Sequence, residues 1–81
     1  MRSQRRHTLK FLRTVEYPST TKEIADRLGM DYFDVFLHLL ALEILKLVSL
    51  TDGKMWRLTE SGEGELQKLE AEERLAELPK A

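Results

Sequence analysis

Five basic residues open the chain. Arg2, Arg5, Arg6, Lys10 and Arg13 stand within the first 13 positions, with no Asp or Glu among them. Clustered guanidinium and ammonium groups hold anions, phosphate foremost, through charge-assisted hydrogen bonds. The plainer reading is a solvated helix surface. Asp31 and Asp34 lie three apart, so a helix would bring both carboxylates to one face. Such a pair can hold a cation or move a proton, and the competing role is a pair of solvated acids at a helix start. His7 and His38 are the only histidines and are far apart in sequence. With no Cys, no thiolate or His-rich metal centre is expected. Ser61-Gly62-Glu63-Gly64 has two glycines, but it lacks the lysine and the strand-then-helix setting of a phosphate loop. Trp56 with Tyr17 or Tyr32 offers rings that could stack a base, although a core or sheet-face role fits Trp56 better. No nucleophile stands at a useful spacing from a base. The expectation is therefore a non-enzyme with no cofactor and no small-molecule substrate.

Length and charge narrow the setting for these groups. Eighty-one residues make one domain with a thin core, which calls for a further source of stability, and oligomerisation is the one left. The net charge of -1 hides an asymmetry. Residues 58–81 carry seven Glu against Lys68, Arg74 and Lys80, so a basic start faces an acidic end. No apolar run is long enough to span a membrane, and MRSQRRHTLKFL has no apolar signal segment. The expected location is the cytoplasm.

The elements that must position these residues follow from periodicity. Leu9, Leu12 and Val15, with Phe11 beside them, predict a first helix over 4–16, ended ahead of Pro18. Residues 17–20 read as a connector. Thr20 and Glu23 form a capping box that opens a short helix, 21–28, with Ile24 and Leu28 inward and Ala25 small enough for close approach. Gly29 ends it in the left-handed region, and Asp31 caps a third helix over about 31–45. The apolar residues of that helix wrap nearly all the way round, a pattern normal for a helix buried on every side. Either a second chain or a folded-back terminal helix would have to cover it. Asp52-Gly53 predicts a two-residue hairpin turn between strands 47–51 and 54–58. That register sets Thr51 opposite Lys54, Leu50 opposite Met55, and Ser49 opposite Trp56. Thr59 caps a last helix, 60–78, which Pro79 stops. Gly62 and Gly64 are each expected to weaken it by roughly 1 kcal/mol relative to Ala.

The stretches TTKEIADRLGM and HLLALEILKLVSL, the hairpin, and RLTESGEGEL together resemble a winged helix-turn-helix domain of the MarR, ArsR and PadR type of transcription regulator. The likeness covers residues 18–66. It implies an α+β, mostly α fold over a single domain, 1–81: a three-helix core with the helix-turn-helix at 20–45, a two-stranded wing at 47–58, and a C-terminal helix. It also implies a homodimeric DNA-binding protein with double-stranded DNA as partner. The third helix would enter the groove with Asp31, Tyr32, Phe33, Phe36, Leu37 and Leu40, and Lys54 and Arg57 would serve the wing. The chain departs from that pattern in two ways. Groove readers usually carry side chains that hydrogen-bond base edges, whereas this helix offers Tyr, Phe and Leu with Asp31 and Asp34 at its start. Lys46 stands where such proteins tend to have Gly.

Two functions follow as expectations. In the first, the chain regulates transcription by gripping DNA phosphates with Arg2, Arg5, Arg6, Lys10 and Arg13, with Lys22, Arg27, Lys54 and Arg57 as lesser contributors. In the second, the same fold is a protein-interaction or dimerisation module that does not read DNA with its third helix. Its contact would be Tyr32, Phe33, Phe36, Leu37 and Leu40.

Overall fold

A computed structural model describes residues 2–77, with the backbone alone described for 2–5. The described residues form four helices and a three-stranded antiparallel sheet. The order is α1 (Arg2–Thr14), β1 (Ser19–Thr20), α2 (Thr21–Leu28), α3 (Tyr32–Ile44), β2 (Val48–Thr51), β3 (Met55–Leu58) and α4 (Glu60–Glu77). The predicted positions of Leu78 and Pro79 at the end of α4 lie outside the described residues, as do the side chains of Arg2 and Arg5.

Local chemistry sets the helix ends. Both halves of the capping box are made: Glu23 N–H donates to Thr20 Oγ1 (3.1 Å) and Thr20 N–H to Glu23 Oε1 (2.9 Å). Gly29 closes α2 at φ 63°. Asp31 accepts from the Phe33 N–H at 3.0 Å and caps α3. The end of α3 repeats the closing turn of α2 with a different residue. Lys46 N–H donates to Glu43 O and Leu47 N–H to Leu42 O, the paired bonds of a left-handed helix stop. Lys46 takes φ 64° there without being glycine.

The core lies between the helices and one sheet face. Leu9, Phe11 and Leu12 of α1 and Val15 just after it meet Ile24 and Ala25 of α2, Val35, Leu39 and Leu42 of α3, and Leu66 and Leu69 of α4. Val48 and Trp56 enter from the sheet.

The strands correct the expected hairpin in two respects. The wing expected as two-stranded belongs to a three-stranded sheet in the order β1-β3-β2, because the presumed connector contributes β1. Ser19 pairs with Trp56 and Thr20 with Met55. A two-residue strand shows no alternation, so no sequence period marks it. The register also differs by one. The Asp52-Gly53 turn forms, with φ 54° and 68° and the closing bond from Lys54 N–H to Thr51 O. Beyond it Lys54 is an extra residue, and the ladder pairs Thr51 with Met55, Leu50 with Trp56, Ser49 with Arg57 and Val48 with Leu58. A one-residue slip moves a whole strand's side chains to the other face. This register gathers Val48, Leu50, Trp56 and Leu58 on the inner face, which the expected pairing did not.

Gly62 also behaves differently from expectation. At the start of α4, Thr59 N–H donates to Leu47 O, Thr59 Oγ1 donates to Lys46 O, and Gly62 N–H donates back to Thr59 Oγ1 at 3.0 Å. These bonds draw α4 against the chain that leaves α3. A Cβ on Gly62 would land on the Leu47 carbonyl oxygen and within 2.9 Å of its carbon, whereas one on Gly64 would meet open space. Gly62 is a packing requirement, and only Gly64 is a simple weakness in the helix.

Three outcomes follow for chemical denaturation monitored by circular dichroism. Gly62→Ala forces backbone apart and should cost about 1–3 kcal/mol or more, while Gly64→Ala should gain up to about 1 kcal/mol; equal responses would refute the contact. Lys46→Gly relieves the left-handed strain and should stabilise by about 1 kcal/mol, roughly 4–8 °C in Tm for a domain of this size. Trp56→Phe leaves the Thr21 hydroxyl without its buried donor and should cost about 1–3 kcal/mol.

Candidate functional site

Three surfaces carry the residues singled out above. The first is a hollow of about 270 Å³ where the start of α2, the hairpin tip and the start of α3 meet. Lys22 reaches it because the capping box opens α2 two residues earlier, and Lys54 because the Asp52-Gly53 turn delivers it there. Tyr32, in the first turn of α3, lines the same opening. Phe36, Leu50 and Trp56 also line it. Trp56 is wholly buried, its indole N–H donates to Thr21 Oγ1 at 2.8 Å, and its ring meets Phe36 edge-on at 6.3 Å between centroids. Two lysines and a tyrosine thus line one opening beside the start of α2, where the helix dipole adds to the attraction for anions. Glu23 opposes them in part. The Thr20 backbone N–H and then the Thr20 side chain, with Arg27 adding a smaller effect, hold its carboxyl below the ordinary value of 4.5, so it stays charged at neutral pH. Arg27, a lesser phosphate candidate from sequence, donates instead to the buried Ser19 Oγ at 2.9 Å, and Ser19 donates on to Tyr17 O. Arg57 is exposed on the outer sheet face, opposite Ser49.

The second surface is the groove between α1 and α4. Arg6, His7, Lys10 and Arg13 line one side, with Glu73 and Glu77 on the other. Arg13 is committed to α4: its guanidinium lies 3.5 Å from Glu70 and 3.6 Å from Glu73. These partly exposed pairs are each worth about 1 kcal/mol or less, yet they draw a basic residue toward acids and away from a ligand. Arg6 and Lys10 remain exposed. The hollow and the groove share no lining residue, so the candidate DNA-binding set divides between two places.

The third surface is the outer side of α3. Among the predicted contact residues, Tyr32, Phe33 and Leu37 are exposed, Phe33 by 71% and Leu37 by 63%. Phe36 and Leu40 are half-buried and pack against the core. Ile44 (79%) and Leu45 (65%) complete the surface, and the predicted contact set omitted them. The signal for Ile44 was present: it falls four residues after Leu40 and seven after Leu37, on the same side of a helix. The alternative of a terminal helix folded over this face does not hold for the described residues, because α4 packs against α1 and β3. Leu75, on α4, is itself 68% exposed.

The histidines, distant in sequence, come together. His7 and His38 lie nearly parallel with centroids 6.2 Å apart, and His38 also packs on Phe11 at 5.1 Å. Among the described residues no group of three or more His, Cys, Asp or Glu could hold a metal ion, and Asp31 spends its carboxylate on the cap of α3. No described helix is long and apolar enough to cross a membrane. Comparison with protein-family models, with curated proteins and with solved structures gave no match.

Proposed function

We propose that this chain is a winged-helix DNA-binding protein, a small transcriptional regulator that holds duplex DNA mainly through phosphate contacts. The observation that carries this reading is the convergence of Lys22 and Lys54 on one hollow beside Tyr32. The four helices and the hairpin of the fold are compatible with it, α2 and α3 serving as the helix-turn-helix and β2–β3 as the wing. A duplex lying along α2 and the hairpin would put phosphate oxygens within reach of both ammonium groups. Arg6 and Lys10, exposed on α1, would add contacts from the second surface.

Contacts of this kind supply affinity and little sequence information. The outer residues of α3 agree with that limit. Phe33, Leu37 and Ile44 have no donor or acceptor for a base edge, and a thymine methyl is the one groove feature they suit. Asp31 and Asp34 would repel phosphate near the start of the helix. Binding by this protein is therefore expected to be salt-sensitive and nearly indifferent to sequence.

A specific observation favours a second reading. Phe33, Leu37 and Ile44 are each more than 60% exposed on α3, and an exposed apolar surface of that kind marks a protein contact. The chain would then be an association module, with or without DNA.

The first reading is tested by titrating a fluorescent duplex at increasing salt. Four contacts, from Lys22, Lys54, Arg6 and Lys10, give a log-log slope of about -3.6. The double variant Lys22→Ala, Lys54→Ala should flatten it by about 1.8 and weaken binding alike on unrelated sequences. An absence of binding at low salt, or a slope unmoved by the double variant, would remove this reading.

A further inference from the structure

We infer that two copies of this chain pair through the outer strip of α3, with the two helices antiparallel about a twofold axis passing between Leu37 and Leu40. This inference rests on the association reading above and is independent of DNA binding.

The strip is Phe33, Leu37, Leu40 and Ile44, in steps of four, three and four residues. That is the spacing of a helix-helix seam. Three of its four residues, Phe33, Leu37 and Ile44, lie outside the core, because Val35, Leu39 and Leu42 anchor the opposite side of α3. Phe33, Leu37 and Ile44 stand out into solvent, and Leu40 is half-buried at the edge of the core.

A second copy is the occupant that the strip itself describes. Read backwards, its steps are again four, three and four. A twofold rotation therefore lays Phe33 of one copy against Ile44 of the other, and Leu37 against Leu40, with no gap in the seam. This self-complementarity is what an isologous contact requires.

Charge selects the antiparallel sense. The acids Asp31 and Asp34 begin α3, its last turn holds no base, and Lys46 follows its end. Parallel pairing would set each acid beside its own copy and align the two helix dipoles. Antiparallel pairing opposes the dipoles and sets Asp31 of each copy level with Lys46 of the other, while Asp34 comes level with Glu43 but on the opposite flank of the strip. Glu43 and Tyr32 share the other flank of the strip, so the carboxylate of one copy falls near the phenol of the second.

The size of the contact sets its strength. The 13 residues of α3 span about 20 Å. One helix strip of that length covers less than the roughly 800 Å² per partner of a standard interface. The pair is accordingly a concentration-dependent dimer in exchange with monomer.

Sedimentation equilibrium on the full chain, from micromolar to millimolar concentration, tests assembly. The mass should rise from 9.5 kDa toward twice that value. Leu37→Glu should hold it at the monomer with an unchanged helical spectrum, since Leu37 is largely in solvent. Orientation is read by disulfide trapping, which the absence of native Cys makes clean. Phe33→Cys mixed with Ile44→Cys should give a cross-linked pair, and each variant alone little product. A monomer at every concentration would overturn the inference and leave the DNA titration standing. Efficient cross-linking of Phe33→Cys to itself would overturn it as well, by showing the parallel arrangement.

Discussion

Trp56 is the side chain on which the arrangement of this protein depends. It is wholly buried, pairs across the sheet with both Ser19 and Leu50, bonds Thr21 at the start of α2 and meets Phe36 of α3. One indole therefore joins β1, β2, β3, α2 and α3. Its N–H needs an acceptor once buried, and the Thr21 hydroxyl supplies it at the point where α2 begins. The consequence reaches the surface. Because the hairpin is locked to the start of α2, Lys54 on the turn and Lys22 on the helix share one opening. A hairpin pinned only by its own ladder would leave that distance free.

A second constraint acts at the opposite end of α3. Lys46 turns the chain in a left-handed conformation, and Leu47 then accepts from Thr59 while Gly62 packs against its carbonyl. This junction directs α4 toward α1, where Glu70 and Glu73 meet Arg13. Among the described residues it also leaves the outer side of α3 uncovered. The basic start and acidic end of the chain are in this respect partly a pairing of two helices, while Arg6 and Lys10 of α1 stand exposed.

The exposed side of α3 sets the two proposed activities against each other at one place and reconciles them at another. A helix paired through Phe33, Leu37 and Ile44 cannot enter a groove with the same residues. Lys22 and Lys54, by contrast, lie at a hollow formed with the beginning of α2 and the hairpin. A dimer held by the strip would thus retain cations for phosphate while giving up base readout. The side chains of α3 are poorly equipped for base readout in any case.

Much of the local structure was legible in the residues. The Thr20-Glu23 box, Gly29, the Asp31 cap and the Asp52-Gly53 turn act within a few positions, so their types and spacing determine them, and the apolar period assigns Leu9, Leu12, Val15 and Ile24 to the core. The excess of apolar residues on 31–45 was equally plain. What tertiary structure decided was everything set by contact between distant segments. β1 exists because β3 offers it a partner, and the hairpin register answers to the core that Trp56 must fill. Gly62 is required because the Leu47 backbone approaches it, and His7 meets His38 because folding brings that part of α1 beside α3. Which side of α3 stays bare depended on where α4 came to rest. Periodicity records how much surface a helix must bury, but which neighbour buries it is settled only when the whole chain packs.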